Sequence, residues 1–176
     1  MKILKVITVI VGVFVALFLL VAAIMPSTYT VSVSTVINKP QKEVYDFVKS
    51  LKNQEYYSVW VMKDSNLVMT YTGVDGTLGF VAHWSSSNDQ VGEGEQKITK
   101  VDGERVEVDI RFERPFEGEQ KAATIVKDIG ENKTKVISEF YGHDSYPWNA
   151  LSFVGKSIIK DAQTQNMVNL KVILER

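Results

Sequence analysis

The sequence contains no cysteine among its 176 residues. This absence excludes a disulfide framework, a thiol nucleophile and a lipid attached through a cysteine. Histidine is scarce, and His83 and His143 are the only two. A zinc site needs three or four convergent ligands, and these two distant histidines lack a spaced carboxylate pair. We therefore expect neither a metal nor another cofactor.

Charge of one sign is not concentrated anywhere in the sequence. The formal net charge is −1, and acidic and basic residues are interspersed. Nucleic-acid-binding domains show a basic patch, and strong binding to anionic lipid headgroups needs a lysine and arginine cluster. We expect no nucleic-acid partner and no strong attraction to anionic headgroups.

One long hydrophobic run stands at the N-terminus. Lys2 and Lys5 precede uncharged residues from Val6 to Met25, and Pro26 ends the run. A run of roughly 20 apolar residues spans a bilayer as a helix. A signal peptide is the alternative, because Val21-Ala22-Ala23 is a passable cleavage site, but the run is longer than a usual signal core.

We favour an uncleaved, single-pass membrane anchor over residues 1–26. The positive flank predicts that the N-terminus stays in the cytoplasm, which places residues 27–176 on the extracytoplasmic side. These residues are of single-domain size and can bury one core.

The domain is mainly β-structure. Alternation and turn residues predict seven strands: Tyr29–Ile37, Leu67–Thr72, Phe80–Ser85, Gly92–Val101, Arg105–Glu113, Glu119–Lys127 and Lys133–Tyr141. Apolar and charged residues alternate most regularly in Arg105–Glu113, which predicts one dry and one wet face. An antiparallel sheet covered on one side has this pattern.

Helical periodicity occurs at three places. One helix begins at Pro40, with Asn38 or Lys39 at its cap, and a second, short helix covers Asn53–Met62. A long amphipathic helix lies within Pro147–Arg176. The order of strand, two helices, six strands and long helix predicts an α+β domain with its helices on one face of the sheet.

The apolar stripe of the last helix contains one polar residue. The stripe consists of Leu151, Val154, Ile158, Ile159, Ala162, Leu170 and Ile173. Asn166 falls between Ala162 and Leu170, which indicates a cavity between sheet and helix. The alternative is that Asn166 bonds a neighbouring backbone group or water.

Aromatic residues are numerous for so small a domain, and they serve either as ordinary core or as the lining of a cavity for a lipid-like or polycyclic ligand. We expect a ligand-binding cavity lined by Trp60, Tyr71, Trp84, Val108, Ile110, Phe112 and Asn166.

Three residues are candidates for a catalytic acid or base. Glu93 shares a strand face with Glu95, and it can serve as a general acid only if that face borders the cavity. His143 precedes Asp144, so they form either an acid–base couple or a loop before the last helix. His83 is the third candidate.

Several short stretches resemble one superfamily. They are Pro26-Ser27 with Tyr29-Thr30-Val31, Asn38-Lys39-Pro40, Tyr57-Ser58-Val59-Trp60, Tyr71-Thr72-Gly73, Val91-Gly92-Glu93-Gly94, Phe112–Phe116 and Asn169-Leu170-Lys171. They are similar to the START-like (SRPBCC) superfamily, specifically its polyketide cyclase/dehydrase-like branch, which includes members with an N-terminal membrane helix. Tyr57 and Val59 depart from the family's Trp-Ser-Pro-Trp segment.

The resemblance implies a helix-grip fold, in which a bent antiparallel sheet of about seven strands holds the C-terminal helix over a hydrophobic cavity. It implies no particular reaction, because function depends on the site. The first hypothesis is a membrane-tethered domain that binds or carries a hydrophobic small molecule or lipid. The alternatives are a cyclase or dehydratase acting on a hydrophobic substrate and a protein-binding module of the cell envelope. A buried titratable group favours the enzyme, whereas a cavity lined by apolar residues and amides favours the carrier.

Overall fold

The computed structural model describes residues 2–176 and has an α+β architecture. The α-helices are α1 (Lys2–Ile24), α2 (Gln41–Val48), α3 (Gln54–Tyr57), α4 (Val59–Met62) and α5 (Ser152–Leu174). The strands are β1 (Thr28–Ile37), β2 (Val68–Thr72), β3 (Val81–Ser85), β4 (Glu93–Val101), β5 (Arg105–Arg114), β6 (Gly118–Asp128) and β7 (Thr134–His143). Short 3-10 helices cover Leu51–Asn53 and Trp148–Leu151. The predicted α+β helix-grip fold is confirmed.

The seven strands form one antiparallel sheet in the order β1-β7-β6-β5-β4-β3-β2. Strands β2 to β7 are consecutive hairpin neighbours, and β1 returns to pair with β7 from Thr28 opposite His143 to Ile37 opposite Thr134. The β4–β5 pairing shifts register after Glu93 and again after Ile98. Such bulges bend a strand, which helps this sheet to curve around α5.

The alternation in β5 has the predicted consequence. Val106, Val108 and Ile110 are buried on the inner face, while Asp109 and Arg111 are exposed on the outer face. The last part of α5 packs on this inner face through Met167, Leu170 and Leu174, together with residues of α2 and β7.

Two local predictions need correction. The stretch predicted as one helix over Asn53–Met62 is divided, because Ser58 has an extended backbone (φ −76°, ψ 119°) between α3 and α4. The cap of α2 is Pro40 rather than Asn38 or Lys39, and no side chain caps the helix there.

The first part of the apolar stripe on α5 also differs from the prediction. Leu151, Val154 and Ile158 are exposed, although their periodicity placed them with the core residues. Burial in α5 is concentrated toward its C-terminal half, from Asn166 onward. The helix therefore has a covered half and a half with an exposed apolar surface.

Helix α1 is long and apolar enough to cross a membrane by length and composition, a test that signal sequences and buried core helices also pass. Ala22 is the only buried residue among those described in α1. The side chain of Asn149 joins the end of α1 to the domain, because its Nδ2 donates to the carbonyls of Ala22 at 2.7 Å and Met25 at 2.8 Å.

Candidate functional site

A cavity of about 1200 Å³ lies between the inner face of the sheet and α5. Small residues explain why the space is not filled: Ala82 and Ala122 face it from the sheet, and Gly155 faces it from the helix. Protein interiors are usually packed as densely as organic crystals, with few voids larger than a water molecule. A cavity of this size is therefore a specific feature of this fold and not a packing defect. Its volume exceeds the range of roughly 300–1,000 Å³ that is usual for ligand pockets.

Two aromatic rings lie flat against the sheet because a glycine stands opposite each of them. A Cβ atom at Gly94 would come within 2.7 Å of the Trp84 ring, and one at Gly142 within 2.1 Å of the Tyr29 ring. Trp84 also packs edge-on against Phe112, with ring centroids 5.8 Å apart. The two glycines thus place Trp84 and Tyr29 in the cavity wall.

Amides and hydroxyls provide the polar groups inside the cavity. Gln54 and Gln96 donate to each other through their side-chain amides, at 3.0 and 3.2 Å. Ser138 Oγ donates to Gln163 Oε1 at 2.6 Å. The N–H of Val59 donates to Asn166 Oδ1 at 2.8 Å, so Asn166 both lines the cavity and bonds a neighbouring backbone group.

Two tyrosine hydroxyls in the cavity wall are held in their protonated form. Burial raises the pKa of Tyr57 above its ordinary value. Burial raises the pKa of Tyr29 too, and the negative charge of Asp144 adds to the effect. Burial disfavours the charged form of an acid, so both side chains remain neutral hydrogen-bonding groups at neutral pH.

The cavity opens at one end of the sheet. Its exposed lining residues come from the β3–β4 and β5–β6 turns, the end of β7, the approach to α5 and the first turns of that helix. They include Pro115, Phe116, Glu117, His143, Ser145 and Trp148. We call this opening the mouth. The charged side chains that line the cavity include Asp89, Arg114, Glu117 and Glu119, which are exposed, and Asp144, which is half-buried. Within residues 2–176, the buried part of the lining is therefore apolar or uncharged.

The predicted ligand-binding residues lie together with one exception. Trp60, Trp84, Val108, Ile110, Phe112 and Asn166 all line the cavity. Tyr71 is absent from the lining and stacks on Phe80 at 5.9 Å, with the ammonium of Lys52 4.8 Å from its ring centroid. Met69 of the same strand does line the cavity, so the cavity ends along β2 before it reaches Tyr71.

The three catalytic candidates do not converge. His83 and Glu93 lie outside the cavity lining, with His83 Nε2 3.8 Å from Glu93 Oε1. The inner face carries Gly94, Gln96 and Ile98, whereas the Glu93 carboxylate lies beside His83 on the outer face. His143 is exposed at the mouth, where its backbone N–H donates to Gln120 Oε1 at 2.7 Å.

The outer face brings together a group of side chains that the sequence did not predict. One ligand atom from each of His83, Glu93 and Glu113 lies within 4.8 Å of the others, across β3, β4 and β5. The guanidinium Nε of Arg114 is 3.3 Å from Glu93 Oε2, so this carboxylate already has a cationic partner. The group lies on the opposite side of the sheet from the cavity.

Sequence reasoning missed the glutamines of the cavity. Gln96 lies between Gly94 and Ile98 on the inner face, where its amide meets that of Gln54. A polar residue on the dry face of an alternating strand was the signal, and it parallels the signal that Asn166 gave on the helix.

Comparisons with known proteins bear on the fold. No protein-family model matches the chain. No curated protein matches it either. Solved structures do match, and they include norcoclaurine synthase from Thalictrum flavum in complex with dopamine and hydroxybenzaldehyde, at 11% identity and a TM-score of 0.62, covering 88% of this chain and 90% of that one.

Two further structures have the same architecture. Protein MLL2253 from Mesorhizobium loti is 14% identical with a TM-score of 0.62, and the match covers 84% of this chain and 98% of that one. Ara h 8.0201 is 11% identical with a TM-score of 0.58, over 85% of this chain and 99% of that one. At these identities the likeness shows the fold alone, which is the helix-grip fold expected from the sequence.

Proposed function

We propose that this chain is a membrane-tethered domain that binds a hydrophobic small molecule or lipid in the cavity between the sheet and α5. The observation that carries the proposal is the lining of the cavity: its buried part is apolar and aromatic, with amides and neutral hydroxyls as the polar groups. Ligand sites for apolar molecules have this composition, in which a few polar groups fix the orientation of the ligand.

The arrangement of the titratable groups favours binding over catalysis. His83 and Glu93 lie away from the cavity, and His143 is exposed at the mouth. A general acid or base must reach the reacting atom of a bound substrate, and an apolar ligand would occupy the buried part of the cavity. The polar groups there are amides, which are neither acids nor bases at neutral pH. They also include the Tyr29 and Tyr57 hydroxyls, whose raised pKa values keep them protonated, so they act as neutral hydrogen-bonding groups toward a ligand.

The neighbours support small-molecule binding only in general terms. The norcoclaurine synthase of similar fold holds dopamine and hydroxybenzaldehyde, so this architecture accommodates small aromatic molecules. Similar folds carry many functions, so the synthase reaction itself is not transferred to this chain. The tether is α1, which supports attachment to a membrane by its length and apolar composition.

Filling the cavity tests the proposal. Native mass spectrometry of the full chain, released from detergent after incubation with a lipid extract, should show one bound apolar ligand per chain. Ala122→Phe narrows the cavity from the inner face of β6 and should reduce the bound fraction several-fold. The bound ligand should raise the melting temperature, since a ligand at about 100 times its Kd stabilises the folded state by about 2.7 kcal/mol.

The matched control is Lys121→Phe, which adds the same ring on the exposed outer face of the same strand. This variant should bind as the unmodified chain does. Absence of both an adduct and a thermal shift across a broad panel of lipids and sterol-like molecules would reject the carrier function.

A further inference from the structure

An exposed apolar surface surrounds the mouth of the cavity. Phe116 is 82% exposed at the β5–β6 turn, Trp148 is 65% exposed, and Phe153 is 63% exposed in the first turn of α5. We define the apolar rim as Phe116, Tyr146, Trp148, Phe153, Val154 and Ile158, all of which are exposed. Large exposed apolar patches on folded domains mark sites of contact with a membrane or another protein.

The apolar rim is at the end of the domain to which α1 is attached. Three residues, Met25, Pro26 and Ser27, lie between α1 and the first residue of β1. An extended chain spans at most about 3.5 Å per residue, so this link reaches roughly 10 Å. If α1 crosses a bilayer, the start of β1 must lie close to the bilayer surface.

Strand direction places the mouth at this same end. Thr28, at the start of β1, pairs with His143 at the end of β7, and Lys121 near the start of β6 pairs with Tyr141. Phe112 at the end of β5 pairs with Gly118 at the start of β6, so the β5–β6 turn with Phe116 lies at the same end of the sheet. The start of β1, the mouth and the apolar rim therefore share one end of the sheet.

A specific contact orients this end of the domain relative to α1. Asn149, which is buried, lies in the 3-10 helix between Trp148 and Leu151 and donates both of its amide hydrogens to carbonyls at the end of α1. The Asp144 N–H also donates to the Ser27 carbonyl, at 2.8 Å. These bonds hold Tyr146 and Trp148 of the apolar rim beside the C-terminal end of α1.

We propose that the apolar rim inserts into the interface of the bilayer that α1 spans, so that the mouth opens directly onto lipid and the ligand enters from the bilayer. This proposal rests on the membrane tether of the proposed function. Tryptophan and tyrosine favour the membrane–water interface, where the apolar ring is buried and the polar tip stays hydrated.

The choice of a membrane over a protein partner follows from the short tether. If the link to α1 reaches only roughly 10 Å, the attached end of the domain faces the bilayer surface. The space left there is too narrow for a soluble partner protein to cover the apolar rim. The charged residues near the mouth are of both signs, including Arg114 and Glu117, so contact should depend on apolar insertion rather than on anionic lipid.

Site-specific fluorescence in lipid vesicles tests this placement. The chain lacks cysteine, so a single introduced cysteine accepts one environment-sensitive label. The full chain is reconstituted in phosphatidylcholine vesicles that contain a nitroxide-labelled lipid. Labels at Phe116→Cys and Phe153→Cys should show a blue shift and several-fold stronger quenching than a label at Ile129→Cys.

Ile129 is the matched control, because it is an exposed apolar residue in the β6–β7 turn at the opposite end of the sheet. Quenching at 116 and 153 should persist when NaCl is raised from about 0.1 M to about 0.5 M, since apolar insertion is not screened by salt. Quenching no stronger than at Ile129, or quenching that salt abolishes, overturns the proposal.

Two readouts separate this inference from the proposed function. A label at Gly12→Cys, where a Cβ meets no atom within 4 Å, reports whether α1 itself lies in the bilayer. Strong quenching at Gly12 without quenching at the apolar rim keeps the tether and rejects the inserted rim. Weak quenching at Gly12 rejects both the tether and the inserted rim. If mass spectrometry shows no bound ligand while the labels on the rim are quenched, only the carrier function is rejected.

Discussion

Asn166 lies on the cavity wall and is held there by a bond to a backbone group. Its Oδ1 accepts the N–H of Val59, the first residue of α4, which has no earlier turn of the helix to bond with. A buried polar donor without a partner destabilises a folded protein. The side chain therefore joins α5 to α4 as well as bordering the ligand space.

The first prediction concerns this bond. Asn166→Leu should lower the free energy of unfolding by about 1–3 kcal/mol, because the Val59 N–H loses its partner in a buried position. Gln165→Leu makes the same change on the exposed face of the helix and should alter stability by less than about 0.5 kcal/mol. Urea unfolding of the full chain in lipid nanodiscs measures both, and equal effects would show that the Asn166 bond contributes nothing.

A second prediction follows from the buried hydroxyl of Tyr57. Its pKa is raised by burial, so above pH of about 10 the unfolded chain loses this proton before the folded chain does. The unfolded state then binds fewer protons, and stability falls as the pH rises, by up to about 1.4 kcal/mol per pH unit from this group. Tyr57→Phe should reduce this alkaline loss of stability.

The neighbouring Tyr56 provides the control, because it is exposed and Tyr56→Phe should leave the alkaline slope unchanged. Unfolding free energies measured between pH of about 9 and about 11.5 give the slopes. An identical slope in Tyr57→Phe and the unmodified chain would mean that the Tyr57 hydroxyl is solvated.

Residue-level patterns located most of the cavity, and the exceptions have physical reasons. Val108 and Ile110 were accessible to prediction, because strand alternation assigns a face to every residue. Tyr71 was misplaced, because alternation gives the face of a residue but not how far along the sheet the cavity extends. Gln54 was missed, because its partner Gln96 is distant in sequence and meets it only after the sheet bends.

At the scale of elements, the strand order of the sheet could be predicted from the sequence. The short helices between β1 and β2 could be predicted less well. Six consecutive strands joined by short turns predict a meander, and the structure has those neighbours in order. The division of α3 from α4 at Ser58 could not be predicted, because the aromatic and β-branched residues on both sides give no helix-boundary signal. Contacts with α5 determine where the helix is interrupted. The Val59 N–H donates to the Asn166 side chain, and the Tyr57 carbonyl accepts from the Asn169 side chain.

Helix α5 shows the limit of periodicity more directly. Leu151, Val154 and Ile158 share the stripe that continues to Leu170, and this pattern predicted one continuous core-facing surface. Periodicity reports which residues share a face, but not what covers that face. The exposed N-terminal part of the stripe lies near the end of α1, which is consistent with cover supplied by lipid instead of by the sheet.

At the scale of the whole molecule, the short link between α1 and β1 would couple the membrane topology of α1 to the position of the domain, if α1 is the proposed anchor. Lys2 and Lys5 precede α1, and no acidic or basic residue follows until Lys39. If α1 spans the membrane as proposed, the positive-inside rule predicts that the more basic flank stays in the cytoplasm and that the domain and its cavity face the opposite side. The ligand would then come from the leaflet on that side.

A topology assay tests this assignment. A reporter enzyme that is active only outside the cytoplasm, fused after Arg176, should be active, and a reporter that is active only in the cytoplasm should be inactive at the same position. Replacing Lys2 and Lys5 with glutamate is the control, because it removes the positive flank that sets the orientation and should reduce the activity of the first reporter. Activity of the cytoplasmic reporter in the unmodified chain would reverse the assignment. A mature chain that begins at Ile24 would identify a cleaved signal sequence, and the domain would then lose the tether that holds its mouth at the bilayer.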